Sequence, residues 1–258
     1  MFLIKCMSTA CFVLLLAASP VQAGDPPAEL TPDSSLDQIL QAMQARGEGL
    51  KNFTADVSME DLDNTTGNDP SRTGRIWYDR ADYGKVRTRI LFDRKILDER
   101  VIPEKVEYLL KDGWLTDRNY ASKIEINRQV LRPGEQLDLL KLGEGPFPLP
   151  IGQDPNEVKR LFEVEKRDPG DNAPPNTIHL HLVPRPNTDM ARRFSSMAFW
   201  VDLKSHMPVR IVTMDPNMTT VQTTDLTNMQ VNQGIADEHF VLEDISRQDW
   251  TRRDEPYR

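Results

Sequence analysis

From Asn52 onward apolar and polar residues alternate with a period of two. Over residues 52–60, Phe53, Ala55, Val57 and Met59 fall on one side and their polar neighbours on the other. Successive side chains of a strand point to opposite faces, so this pattern predicts a β-strand with one buried face. It recurs at 73–79 and at 85–92, where Val86, Thr88, Ile90 and Phe92 alternate with Lys85, Arg87, Arg89 and Leu91. Short runs near 95–102, 105–111, 114–118 and 122–128 continue the series, with Asp112-Gly113 as a tight-hairpin signal before Trp114. Parallel neighbours need a crossover of about a dozen residues or more, and these runs leave no room for one, so the pattern predicts an antiparallel meander. Strands resume at 161–167, 176–183, 194–202, 207–214 and 219–227.

Ahead of the first strand the period is near 3.6. Leu36, Ile39, Leu40 and Met43 form one apolar stripe, Ser34 or Ser35 supplies an N-cap, and Gly47 and Gly49 mark the end, which predicts a helix. Between Leu131 and Leu161 the alternation disappears. Residues 135–142 and 156–162 have the composition of short helices, separated by a proline-rich loop, and the insertion 131–161 is expected to act as a cover. The predicted fold is mainly β (α+β). About eleven antiparallel strands make a sheet too long to stay flat, so it should curl into an incomplete half-barrel covered by the N-terminal helix and the mid-chain insertion. A single domain is expected over 35–245, with a flexible N-terminal arm of little structure at 24–34 and a charged, mobile tail at 246–258.

The first 23 residues break this picture. Lys5 precedes an apolar run from Cys11 to Ala18, then Pro20 and Val21-Gln22-Ala23, the layout of a secretory signal peptide. The run is shorter than the ~20 residues that span a bilayer, so no transmembrane segment is expected in the mature chain. Both cysteines, Cys6 and Cys11, lie in this leader, which leaves the exported chain without a disulfide, a thiolate nucleophile or a zinc-thiolate site. With 40 acidic against 32 basic residues the chain is a poor partner for nucleic acid.

Candidate chemistry is sparse. His179 and His181 lie two apart on one predicted strand, which places two imidazoles on one face, but no third metal ligand is evident, and decoration of a solvent face opposite Ile178, Leu180 and Leu182 explains them. The chain has no G-x-S-x-G, Walker loop, G-x-G-x-x-G, HExxH or EF-hand pattern, so hydrolase, nucleotide, dinucleotide, zinc-protease and common calcium chemistry lose their usual support. Carboxylate pairs such as Glu163 with Glu165 are what a chain this acidic produces on a solvated face. The sequence does supply a large apolar sheet face with many aromatics. Covered loosely, that face becomes a cavity for an apolar ligand; covered tightly, it is a core.

The order of these elements carries a resemblance. The helix is followed by Asn52-Phe53-Thr54-Ala55, by Gly74-Arg75-Ile76-Trp77-Tyr78-Asp79-Arg80-Ala81, by Asp112-Gly113-Trp114 and by Asn232-Gln233-Gly234-Ile235-Ala236-Asp237-Glu238-His239-Phe240. Together they resemble the LolA-like periplasmic outer-membrane lipoprotein carriers. The resemblance implies a half-barrel whose interior receives acyl chains of lipoproteins or other lipids. It implies no catalysis and no cofactor, a monomer, and exchange with inner- and outer-membrane transfer proteins. It also implies that Arg80 latches the cover. Ala81 departs from the proline that the family pattern has there, and the insertion is longer than the family's lid. The expected lining is Ile76, Tyr78, Val86, Ile90, Phe92, Leu137, Leu140, Phe147 and Phe199, with Arg80 beside it. The alternatives are a sensor or binding module of the same fold with a regulatory membrane partner, and a metal-dependent hydrolase centred on His179 and His181.

Overall fold

The computed structural model describes residues 29–67, 70–81, 85–132, 151–246 and 249–257. In chain order the elements are α1 (Leu36–Glu48), β1 (Asn52–Asp63), β2 (Ser71–Ala81), β3 (Lys85–Leu97), β4 (Arg100–Lys111), β5 (Trp114–Asn119) and β6 (Ile124–Gln129). They continue with α2 (Pro155–Leu161), β7 (Phe162–Arg167), β8 (Thr177–Pro184), α3 (Asp189–Arg193), β9 (Ser196–Asp202), β10 (Pro208–Met214) and β11 (Thr220–Val231). A 3-10 turn (Asp237–Phe240) and β12 (Thr251–Glu255) complete the set. The signal-peptide pattern, and Leu137, Leu140 and Phe147 of the cover, lie outside the described residues.

All twelve strands belong to one sheet in the order β12-β6-β5-β4-β3-β2-β1-β11-β10-β9-β8-β7. Every neighbouring pair is antiparallel except β12 with β6, which is parallel. The sheet curves but its edge strands do not meet, so the half-barrel expected from the sequence is the architecture found. Two strand readings change. The runs 85–92 and 95–102 are not two strands: β3 continues to Leu97, and a two-residue turn at Asp98 and Glu99, with φ of 50° and 61°, returns the chain as β4. Polar residues tolerate this left-handed conformation best, and the turn carries two of them. The hairpin at Asp112 and Gly113, with φ of 52° and 79°, is of the same kind and matches its sequence signal.

Alternation sorts the strands into an inner and an outer face. Phe53, Ala55 and Val57 of β1, Ile76 and Tyr78 of β2, Ile90 and Phe92 of β3, Leu180 and Leu182 of β8 and Phe199 of β9 all join one buried inner core. α1 closes part of this face. Ser35 caps it in a capping box: the Gln38 N–H donates to Ser35 Oγ at 3.3 Å, and the Ser35 N–H donates to Gln38 Oε1 at 2.8 Å. Ile39, Leu40, Ala42 and Met43 are its buried stripe. Its last turn is positioned by a backbone contact. A Cβ at Gly47 would sit 2.1 Å from Gly152 Cα, and the Gly152 N–H donates to the Met43 carbonyl at 3.1 Å.

The outer face has its own small core. Residues 232–246 cross it, and Phe240, fully buried, packs with Trp77 and Leu109. The Arg87 guanidinium lies 4.2 Å from the Phe240 ring centroid and pairs with Asp79 and Asp237, each at 2.7 Å. Arg89 donates to the His239 carbonyl at 3.0 Å and to Glu107 at 2.7 Å; Arg118 donates to the Glu243 carbonyl at 2.8 Å. These contacts correct the expectation for the tail. Residues 251–255, read as charged and mobile, form β12 on the edge of β6, where Arg128 holds Glu255 at 2.9 Å and Asn127 holds Asp254 at 2.9 Å.

Two substitutions test this packing by urea unfolding. Phe240→Ala is expected to cost about 3–5 kcal/mol, the usual result of emptying a buried aromatic site. Gly47→Ala is expected to cost about 1–3 kcal/mol although alanine favours helices, because backbone atoms of Gly152 occupy the space its methyl group needs.

Candidate functional site

Cross-strand register determines what the inner face can hold. Ala55 pairs with Ile76 and Ile76 with Ile90, while Val57 pairs with Leu226 and Met59 with Thr224. Ile211 of β10 lies beside Thr224. The side chains of β1, β2, β3, β10 and β11 thereby form a groove with an apolar floor of Val57, Met59, Ile76, Ile90, Phe92, Ile211 and Leu226. Thr213, Gln222 and Thr224 supply its polar positions. The cavity at its base is about 40 Å³; with its open mouth the groove contains about 500 Å³ free of atoms. A water molecule's share of the liquid is about 30 Å³, so the base is nearly closed and a bulky ligand requires its side chains to shift.

One end of this face is ringed by charge. Arg72, the cross-strand partner of Met59, donates to Glu104 at 2.8 Å and lies 3.9 Å from Asp61, which accepts from Gln222 at 2.8 Å. Tyr108 stands nearby, edge-on to Phe92 with ring centroids 6.4 Å apart. Burial raises the Tyr108 phenol pKa, and the Asp117 carboxylate adds to that effect. In the other direction along β3 the face runs through Thr88 to Val86, whose cross-strand partner is Arg80. Thr88, two residues from Ile90 and paired with Tyr78 and Leu110, is 3% exposed, and its hydroxyl has no hydrogen-bond partner among the described residues.

The residues expected from the sequence to line a cavity divide into groups. Ile76, Ile90 and Phe92 come together in the groove. Tyr78 is fully buried on the same face and stacks on Phe53 at 5.3 Å, and Val86 is half-buried against the core. Phe199 is separate: with Leu180 and Leu182 it packs beneath Leu40 and Met43 of α1 and Val158 of α2, around a cavity of about 10 Å³. Arg80 is half-buried near the end of β2; its N–H donates to the Lys51 carbonyl at 2.8 Å, and among the described residues its guanidinium has no hydrogen bond or ion pair. Sequence reading placed Val57 and Met59 on the apolar face of their strand but not in the lining, and it missed Ile211 and Leu226, and with them Thr213, Gln222 and Thr224. The period-two signal in 207–214 and 219–227 was available, but the neighbourhood of β11 and β1, far apart in sequence, was not.

Of the histidine pair, His179 sits among aromatic and backbone partners. His179 stacks on Trp200 at 4.2 Å with Nδ1 2.9 Å from the Asp168 carbonyl, and among the described residues no group of three or more His, Cys, Asp or Glu could hold a metal ion.

The fold and site define an open antiparallel half-barrel with an apolar groove on its inner face and helices over part of it. No family model and no curated protein matches the sequence. Solved structures that match include the MucA/MucB complex of Pseudomonas aeruginosa, 13% identical with a TM-score of 0.44, covering 79% of this chain and 60% of that chain. An uncharacterized conserved protein from Thermus thermophilus is 11% identical with a TM-score of 0.46, covering 83% of this chain and 98% of that one. A LolA superfamily protein from Nitrosomonas europaea is 11% identical with a TM-score of 0.31, covering 79% and 97%. This chain thus spans about three-fifths of the MucA/MucB-complex chain that it matches.

The turn between β9 and β10, beside Arg46 of α1, is expected to be sensitive to acid. His206, 8% exposed and at φ 57°, has its pKa lowered first by burial and then by the Arg46 guanidinium, with Asp202 opposing; burial also lowers Arg46. A histidine whose folded pKa is depressed contributes stability that is present above its unfolded pKa of about 6.5 and is lost as pH falls through that value toward the folded one. His181, also lowered by burial, acts in the same sense. Urea unfolding is therefore expected to show stability falling between pH 7.5 and pH 5.5, and falling less in His206→Asn, a residue that accepts the positive φ.

Proposed function

We propose that the protein binds acyl chains of lipids or lipoproteins in the periplasm and carries them in the inner-face groove, without catalysing a reaction. The observation that supports this reading is the groove floor: apolar side chains from five strands converge on a space that is open to solvent at its mouth. Transfer of an acyl chain into such surroundings gains about 0.8 kcal/mol per methylene removed from water. The leader pattern at residues 1–23 supports export, and the motif order from Asn52 to Phe240 supports the kinship with lipoprotein carriers. In this reading, Met59 and Phe92 shift to widen the nearly closed base, and the 131–161 cover moves aside, with Arg80 as its latch.

The test is binding of an uncharged fluorescent alkyl probe or a diacyl lipopeptide to the full chain. Ile90→Asp places a charge on the floor and is expected to weaken binding at least tenfold. Met59→Trp, which fills the groove without charging it, is expected to do the same while leaving the fold intact by circular dichroism. Equal binding by wild type and both variants would overturn the reading. Recovery of a membrane signalling protein, with no lipid or lipoprotein, from natively purified material would instead favour the sensor role.

A further inference from the structure

Thr88 is a buried polar residue of the inner face whose hydroxyl the described residues leave unbonded. It lies on β3 between its cross-strand neighbours, Tyr78 on β2 and Leu110 on β4, and is 3% exposed. Its hydroxyl is buried without a hydrogen-bond partner among the described residues. Leaving such a group unsatisfied costs about 1–3 kcal/mol, and valine has nearly the same shape without that cost. The hydroxyl is also well placed. Two residues along the same face, roughly 6.6 Å at ~3.3 Å per strand residue, lies Ile90, and beyond it Phe92, both on the groove floor.

We propose that Thr88 is the polar anchor of the groove, its hydroxyl donating a hydrogen bond to the ester or amide carbonyl of an acyl ligand whose chain lies over Ile90 and Phe92. This rests on the acyl-binding reading above and narrows it. The ligand class is a carbonyl-bearing acyl compound, an O- or N-acyl lipid, and not any hydrocarbon of suitable length. The hydroxyl itself favours this class, since it is a neutral donor: the charged groups Arg72, Glu104 and Asp61 stand on the far side of Met59, and the charged residue toward this end of the face, Arg80, pairs across the strands with Val86 and not with Thr88. An uncharged carbonyl acceptor satisfies the hydroxyl without bringing a charge into the core, where an unpaired one is far more costly than an unpaired dipole.

The test uses two uncharged lipids of equal chain length, a monoacylglycerol and the corresponding alkyl glycerol ether, which lacks only the carbonyl. Affinities are measured for the full chain by displacement of an uncharged fluorescent alkyl probe below the micelle concentration of each lipid. Wild type is expected to bind the ester about fivefold more tightly than the ether, the size of one neutral hydrogen bond. Thr88→Val is expected to abolish that preference with ether affinity unchanged, Thr88→Ser to retain it, and Thr88→Val without ligand to be at least as stable as wild type. Equal affinities in wild type, or an ester preference that survives Thr88→Val, would overturn the anchor while leaving the groove reading in place. A clear loss of stability in ligand-free Thr88→Val would also overturn it, because the hydroxyl would then be satisfied within the fold or by a buried water. If neither lipid displaces the probe, both the anchor and the acyl-binding reading fail.

Discussion

A twelve-stranded sheet with one apolar face has to hide that face without closing on itself, and the rest of this structure follows from that constraint. Curvature brings β1 and β11 side by side in mid-sheet and turns the apolar residues of β2, β3, β8 and β9 toward one interior. The curve is incomplete, so helices must finish the work. α1 and α2 lie over the β8–β9 part of the face, where Leu40, Met43 and Val158 meet Leu180, Leu182 and Phe199 almost without space between them. Over β1, β2, β3, β10 and β11 the side chains leave a groove instead. One face thus serves as core in one half and as a candidate binding surface in the other.

The outer face meets the opposite problem, since it carries charge where a chain segment has to be held. Arginine suits the task because a guanidinium presents five donors in a fixed fork, so one residue can hold a carboxylate and a backbone carbonyl together. Arg89 bridges Glu107 and the carbonyl of His239, and Arg118 bridges Glu125 and the carbonyl of Glu243. Glu107, almost entirely buried, also accepts from the Tyr120 hydroxyl at 3.0 Å. These basic residues of β3 and β5 are partly covered in the folded chain, and their charge fastens residues 239–243 to the sheet.

That difference marks how far the sequence could be read. The period-two runs announced nearly every strand, Asp112-Gly113 its hairpin, and Leu36, Ile39, Leu40 and Met43 the buried stripe of α1, because each is a local signal. The turn at Asp98 and Glu99 was hidden by continuous strand-forming residues on both sides, with no glycine or proline to mark it. β12 was hidden because Thr251-Arg252-Arg253-Asp254-Glu255 has no apolar alternation; its place depends on pairing with β6 and on ion pairs. Of the groove, Ile76, Ile90 and Phe92 were legible from alternation alone. Ile211 and Leu226 were not, since their membership depends on the β1–β11 and β10–β11 registers. Thr88 was legible as an inner-face position but not as an unsatisfied one, which only the packing around it reveals.

The parallel pairing of β12 with β6 has a consequence for the order of assembly. Thr251 pairs with Ile124, so the edge of β6 stays uncovered while all of the intervening chain is made. During that interval the row of backbone donors and acceptors on β6 is open to any passing strand, the usual starting point for misassociation. Contacts this distant in sequence form late, because their loop-closure entropy must be overcome first. The charged composition of β12 then has a second meaning: once seated, it presents arginine, aspartate and glutamate at the new edge, and the sheet ends in a strand that discourages further growth.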